Sequence, residues 1–165
     1  MNKEQQTTES KIIKLRGIVK FPFVEKTEQG EKFTCKLCLE NNELMRVQEV
    51  TEEIGESISI SDFTIDNKDY DAINVKTSYQ VPIYDINGAE IDEPNNLYPI
   101  YDGAKVIFKV QMKRYEYKEK NKRFTKTGVT SYLLGAVVVE QGTPFASETT
   151  FKEFEAMLNE DNVEF

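Results

Sequence analysis

Lys105-Val106-Ile107-Phe108-Lys109-Val110-Gln111-Met112-Lys113-Arg114-Tyr115-Glu116-Tyr117 is a strand written with period two. Successive side chains of a strand point to opposite faces. Val106, Phe108, Val110 and Met112 collect on one face, which is a core face. Lys105, Lys109, Lys113, Tyr115 and Tyr117 collect on the other, with Ile107 and Gln111 between them. A row of lysines ending in two tyrosines offers cations for phosphates and flat rings for unstacked bases, the needs of a single-stranded nucleic acid. The same alternation also suits an ordinary solvated sheet face with lysines as edge protection. The rest of the chain has to separate the two.

The chain has 165 residues, enough for one domain with a real core. Val, Ile, Tyr, Phe and Thr are plentiful and Trp is absent, which favours β structure. The longest apolar run, Leu133 to Val139, is far short of a membrane span. The polar start, Met1 to Ser10, has no apolar signal core, so a cytoplasmic protein is expected. Cys35 and Cys38 form a CxxC. On a strand they point to opposite faces, and there is no second pair and no histidine to complete a metal site. They are expected to be reduced, with no metal and no cofactor. An enzyme is the weakest reading. The commonest general base is missing, carboxylate pairs such as Asp69/Asp71 and Asp92/Glu93 fall in expected turns, and no phosphate-cradling glycine loop occurs. The net charge of −8 argues against nucleic acid, but its distribution reverses that. From Ala104 to Lys126 the cations outnumber Glu116 and Glu119 heavily, whereas beyond Glu140 the chain is acidic.

Outward from the basic strand, Lys11 to Val24 alternates with Ile13, Leu15, Val19 and Phe21 on one face and Lys14, Arg16, Ile18 and Lys20 on the other. Gly17 marks a bulge or barrel bend, and Pro22 an edge or a strand end. Glu31 to Leu39 returns with Phe33, Cys35, Leu37 and Leu39 on one side. Leu44, Val47, Val50 and Ile54 then recur at helical spacing after the capping pair Asn41-Asn42, and the helix ends near Gly55. Ile58 to Ile65 and Tyr70 to Tyr84 are strands around a turn at Asp66 to Asp69. The second places Ile73, Val75, Tyr79, Val81 and Ile83 on one face, and Asn74, Lys76, Ser78 and Gln80 on the other. Asn87-Gly88 is a hairpin turn. Tyr98 and Tyr101, in the loop that follows, either stack on a ligand or anchor the loop. Lys118 to Lys126 is a cationic loop carrying Phe124. Gly128 to Glu140 is a long strand with Leu133, Val137 and Val139 on one face and Leu134, Ala136 and Val138 on the other. Thr150 to Asn159 reads as a short helix. The expected fold is mainly β, an OB-fold barrel of antiparallel strands with one short helix between strands, plus a C-terminal helix and acidic tail. The chain thus divides into a disordered N-terminus (1–10), a barrel (11–149) and the C-terminal helix and tail (150–165).

These parts resemble, in order, the bacteriophage T7-type family of single-stranded DNA-binding proteins. The resemblance is carried by Lys32-Phe33-Thr34-Cys35-Lys36-Leu37 followed by Asn41-Asn42 and a helix, and by Val81-Pro82-Ile83-Tyr84-Asp85 before Asn87-Gly88. It continues through Gly103-Ala104-Lys105-Val106, Arg114-Tyr115-Glu116-Tyr117, the strand Gly128 to Glu140, and the acidic, Phe-ended Asp161 to Phe165. It spans roughly Ile18 to Phe165. The segment after Asn42 and the acidic tail are shorter than the family's.

The expected function is that of a phage single-stranded DNA-binding protein acting in replication, recombination and repair, in the host cytoplasm. Lys105, Lys109, Lys113, Arg114, Lys118, Lys122 and Arg123 would meet phosphates, and Tyr115, Tyr117 and Phe124 would stack on bases. Lys14, Arg16, Lys20 and Lys76 would extend the path. Glu160, Asp161, Glu164 and Phe165 would compete with DNA for the basic face and, once released, recruit phage DNA polymerase and helicase/primase. The resemblance also implies a homodimer. The alternative is a β-barrel protein-interaction module of a phage, its lysine face meeting an acidic protein rather than nucleic acid.

Overall fold

The computed structural model describes residues 9–94, 96–118 and 125–143. In chain order these form β1 (Ser10–Thr27), β2 (Gly30–Leu39), α1 (Asn41–Ile54), β3 (Ile60–Ile65), β4 (Lys68–Thr77), β5 (Ile83–Asp85), β6 (Lys105–Lys118) and β7 (Thr125–Glu140). The C-terminal helix expected over Thr150 to Asn159 and the tail lie outside the described residues.

The sheet runs β3-β4-β2-β1-β6-β7-β5, and a parallel pairing of β4 with β7 closes β1, β2, β4, β7 and β6 into a five-stranded barrel. This is the OB-fold arrangement, with one helix between strands. The pairing register can be followed once around the outer surface. It passes Ile12, Gln111, Tyr132, Lys76 and Thr34 and returns to β1 at Phe23, not at Ile12. Such a stagger means steeply tilted strands. It is possible because β1 serves two partners, β6 through Ser10–Ile18 and β2 from Ile18 onward. The exchange falls at Gly17. A Cβ there would lie 2.7 Å from the Cys38 carbonyl oxygen and 2.7 Å from Leu37 Cδ1, so only glycine lets the two strands approach at the bend.

The inner faces of all five strands fill the core. Leu15 and Val19, Phe33 and Leu37, Ile73 and Val75, Phe108 and Val110, and Leu133 and Ala136 are all buried in it. Helix α1 adds Val47, Val50 and Ile54 and ends at Gly55, whose φ of 81° forms the left-handed cap. The N-cap is Glu40, with no side-chain bond, not the expected Asn41-Asn42 pair.

Three readings of alternation are corrected. Phe21 does not face the core, and Pro22 does not end β1; it lies where β2 is the only ladder partner of β1, the edge position expected of it. Between Lys20↔Lys36 and Phe23↔Thr34, β1 has one residue more than β2. This bulge accommodates the missing proline N–H and reverses the alternation, so Phe23 turns outward. In β7 the register skips Leu134 and later Val139. The buried set is therefore Leu133, Ala136 and Val138, while Val137 and Val139 lie outside. Finally, Tyr70 to Tyr84 is not one strand. Thr77 ends β4, its hydroxyl accepting the Tyr79 N–H, and Tyr79 is exposed. The chain resumes as β5 beside β7, and its turn at Asn87-Gly88 is fastened by Asp85, whose carboxylate accepts the Asn87 and Ala89 N–H groups.

Candidate nucleic-acid interface

The far end of the basic strand opens onto a groove. Tyr115 and Tyr117 from β6, Lys126 and Tyr132 from β7, and Asn74 and Lys76 from β4 line a space of about 570 Å³. Tyr117 is 56% and Tyr132 36% exposed. Lys76 Nζ sits 5.7 Å from the centroid of the Tyr132 ring, so the cation is held beside a flat aromatic surface. Tyr115 lies over Gly128. A Cβ on that glycine would come within 2.7 Å of the Tyr115 hydroxyl and 2.8 Å of its ring. The ring is thus oriented by the bare backbone of the paired strand.

From Tyr132 a row crosses four strands: Tyr132 on β7, Lys76 on β4, Thr34 on β2 and Phe23 on β1. Parallel to it run Asn74, Lys36 and Lys20. Lys36 Nζ donates to Asn74 Oδ1 and Ser61 Oγ, both at 3.2 Å. Rings and ammonium groups thus share one outer face, on strands spaced about 4.8 Å apart. Such an array can hold unstacked bases against rings while the cations meet their phosphates.

The sequence-predicted residues divide. Tyr115, Tyr117, Lys76 and Lys20 lie in the groove or on this face. Lys113 adjoins it through its partner Thr130, which lines the groove. Lys118 is exposed at the end of β6. Lys109 runs away from the groove, paired with Gly135 on one side and Lys14 on the other. Arg16 and Lys105 border a separate groove of about 900 Å³, whose walls include Ile18, Ile107, Val137 and Val139. Lys105 pairs with Glu140 at 3.4 Å. Arg114 is on the opposite side of β6 from Tyr115. Its Nε donates to Glu56 at 3.2 Å, Glu56 also accepts the Thr127 hydroxyl at 2.8 Å, and the guanidinium pKa is raised, first by that Glu56 bond. Arg114 is a strut between the β6–β7 hairpin and the end of α1. Lys122, Arg123, Phe124, Glu160, Asp161, Glu164 and Phe165 lie outside the described residues.

Sequence reading missed Lys36, Tyr132 and Phe23. Lys36 and Tyr132 carried a signal, since each alternates with buried neighbours. Phe23 carried none, because its orientation depends on the bulge. Tyr98 is an anchor, buried and stacked on Phe33 with ring centroids 5.1 Å apart. Both cysteines are free and buried, and burial is the first cause pushing the Cys38 thiol up to about 11 and Cys35 higher still. Among the described residues, no helix is long and apolar enough to cross a membrane.

No protein-family model matches the sequence, and no curated protein matches it. Solved structures do match. The single-stranded DNA-binding protein from bacteriophage Enc34 superposes with a TM-score of 0.57 at 14% identity, over 88% of this chain and 89% of that one. The same Enc34 protein in complex with single-stranded DNA gives 0.53 at 15% identity, over 81% and 89%. Gp2.5, a single-stranded DNA-binding protein encoded by bacteriophage T7, gives 0.54 at 14% identity, over 94% and 98%. The chain has the fold of the T7-type single-stranded DNA-binding proteins of bacteriophages.

Proposed function

We propose that the chain binds single-stranded DNA along the face of β4, β2 and β7, as a phage protein of replication and recombination in the host cytoplasm. The observation that carries this reading is the row Tyr132, Lys76, Thr34, Phe23, in which two rings bracket a cation and a hydroxyl on the outside of an OB barrel. The fold shared with a phage protein solved on single-stranded DNA supports it. Bases leave the solvent to lie on Tyr132 and Tyr117, each contact contributing about 1–3 kcal/mol. Lys76, Lys36, Lys113, Lys118 and Lys126 meet the phosphates, and Lys122, Arg123 and Phe124, which follow Lys118 in the sequence, take part in binding. Neutralising roughly four to six phosphates gives a log–log salt slope of about −3 to −4. Sequence preference is low, because every base offers a π-face.

The acidic segment with Glu160, Asp161, Glu164 and Phe165 competes with DNA for the basic face. A tether puts it at an effective concentration on the order of millimolar. When DNA displaces it, Phe165 and its acidic neighbours recruit replisome proteins, and the protein works as a homodimer.

The test is fluorescence anisotropy with labelled oligo-dT and a duplex of equal length, at several salt concentrations. Tight single-strand binding with a negative salt slope is expected, and removal of 159–165 should tighten it. If neither DNA binds near physiological salt even without 159–165, the barrel is a protein-interaction module and the proposal fails.

A further inference from the structure

The bulge in β1 does more than reverse the alternation. Phe21 has a φ of 53°, a left-handed conformation that a bulky side chain rarely adopts. Asp102 holds it there. Asp102 Oδ1 accepts the Phe21 N–H at 2.9 Å, and Oδ2 accepts Lys20 Nζ at 2.9 Å. The carboxylate is itself fixed by backbone. Gly103 N–H donates to Val19 O at 2.7 Å, Val19 N–H donates to Ala104 O at 2.9 Å, and Thr143 N–H donates to Asp102 O at 2.9 Å. Three elements of the chain thus combine to keep one phenylalanine in a strained conformation, and the core gains nothing from it. Phe21 is 54% exposed and Phe23 60%. The Phe21 ring meets Phe63 of β3, centroids 5.7 Å apart at 58°. Lys20 Nζ lies 5.9 Å from the Phe21 ring and Lys36 Nζ 5.9 Å from the Phe63 ring.

We propose that Phe21, Phe23 and Phe63 form a second base-stacking platform for single-stranded DNA, preset by the Asp102 clamp on the β1 bulge. The proposal rests on the DNA-binding reading above and extends it. Two features favour a nucleotide over an apolar partner. The rings are flanked by Lys20, whose charge is balanced by Asp102, and by Lys36, whose ammonium donates to the neutral Ser61 and Asn74 and suits a phosphate. The platform is also continuous with the first site, since Phe23 ends the row that begins at Tyr132. Three strand spacings separate the two, roughly 14 Å, so one extended strand reaches both. Strain held at a ligand-facing position is a form of preorganisation. The rings stand ready before the base arrives, and Asp102 is the positioning residue.

A ladder of labelled oligo-dT from roughly 4 to 16 nucleotides, the range of OB-fold site sizes, tests this on the full chain. Phe21→Asn removes the ring while keeping a residue at ease in the left-handed region. Phe21→Asn and Phe63→Ser should each weaken binding of the longest oligonucleotides about tenfold, while the shortest, held at Tyr132 alone, keep wild-type affinity. Asp102→Ala should copy the long-oligonucleotide loss. Asp102→Asn should restore affinity, because its amide oxygen still accepts the Phe21 N–H. Equal affinity of wild type and both phenylalanine variants at every length overturns the platform and makes the patch a protein-contact surface, with the DNA-binding reading intact. Loss at all lengths alike, with unchanged thermal melting, also overturns it, because the rings would then belong to the first site. Absence of binding by the wild type itself would remove the DNA-binding reading, a different result from either.

Discussion

Two outer surfaces of the same barrel carry lysines, and among the described residues they differ in the side chains that neighbour those lysines along the ladders. On the β1–β6 side, Lys14 and Lys109 face each other across the ladder, between the pairs Ile12/Gln111 and Arg16/Ile107. On the β7–β4–β2 side, Lys76 and Lys36 lie among Tyr132, Phe63 and Phe23. The first surface attracts a polyanion by charge alone, an attraction that salt screens. The second adds stacking, which salt does not abolish. Lysine density, the more visible quantity in a sequence, is thus the poorer guide to where a base is held.

The bend that sends β1 from one surface to the other is where both are most easily broken. Gly17→Val places a side chain where the Cys38 carbonyl and Leu37 already are. Overpacking of this kind costs up to about 3 kcal/mol, a Tm lower by roughly 6–12 °C for a chain of this size. Differential scanning calorimetry would measure it, and an unchanged Tm would show that β1 and β2 do not approach so closely.

A smaller effect ranks the two surfaces directly. Tyr132→Ala should weaken oligo-dT binding by roughly 5- to 150-fold, the equivalent of 1–3 kcal/mol. The double variant Lys14→Ala/Lys109→Ala should change affinity at physiological salt by less than about threefold, with the slope against log salt shallower by less than one. Anisotropy titrations at three salt concentrations decide between them. If the order is reversed, the site moves to the β1–β6 side.

How far the sequence could be read depends on where alternation is interrupted. Within Lys105 to Tyr117 the buried set, Val106, Phe108, Val110 and Met112, is the expected one, because β6 itself takes no extra residue. Likewise Leu44, Val47, Val50 and Ile54 are the buried face of α1. The barrel was therefore legible. Phe21, Phe23, Val137 and Val139 were not, since a single extra residue in β1 or β7 turns every later side chain over. The site is harder for a further reason. Tyr132, Lys76, Thr34 and Phe23 are distant in sequence and meet only through the closure of β4 on β7, a pairing that no local pattern specifies.

A third variant probes the hairpin that borders the better surface. Gly128→Ala puts a methyl group within 2.7–2.8 Å of the Tyr115 hydroxyl and ring, so the ring must tilt away. Binding should fall about three- to tenfold, a fraction of one stacking contact. The melting curve should move little, because the displaced ring swings toward solvent. Binding unchanged by Gly128→Ala would make Tyr115 a cover for the strand, leaving Tyr117 and Tyr132 as the rings of the groove.

The smallest effect belongs to the poorer surface. Lys105 and Glu140 form an ion pair at 3.4 Å, with both side chains more than half exposed. Solvent and salt screen such a pair, so it adds at most a few tenths of a kcal/mol to stability. Glu140→Gln nevertheless frees a cation at the start of the strand that the sequence marks most strongly. If DNA runs along β6 from end to end, the freed Lys105 gains a phosphate, and the salt slope steepens by nearly one. If DNA keeps to β7, β4 and β2, both slope and affinity stay at wild-type values, and that is the outcome expected. The measurement is informative because the substitution disturbs so little. Lys105 is at the opposite end of β6 from Tyr117, so any change in slope must come from the path of the DNA and not from the groove.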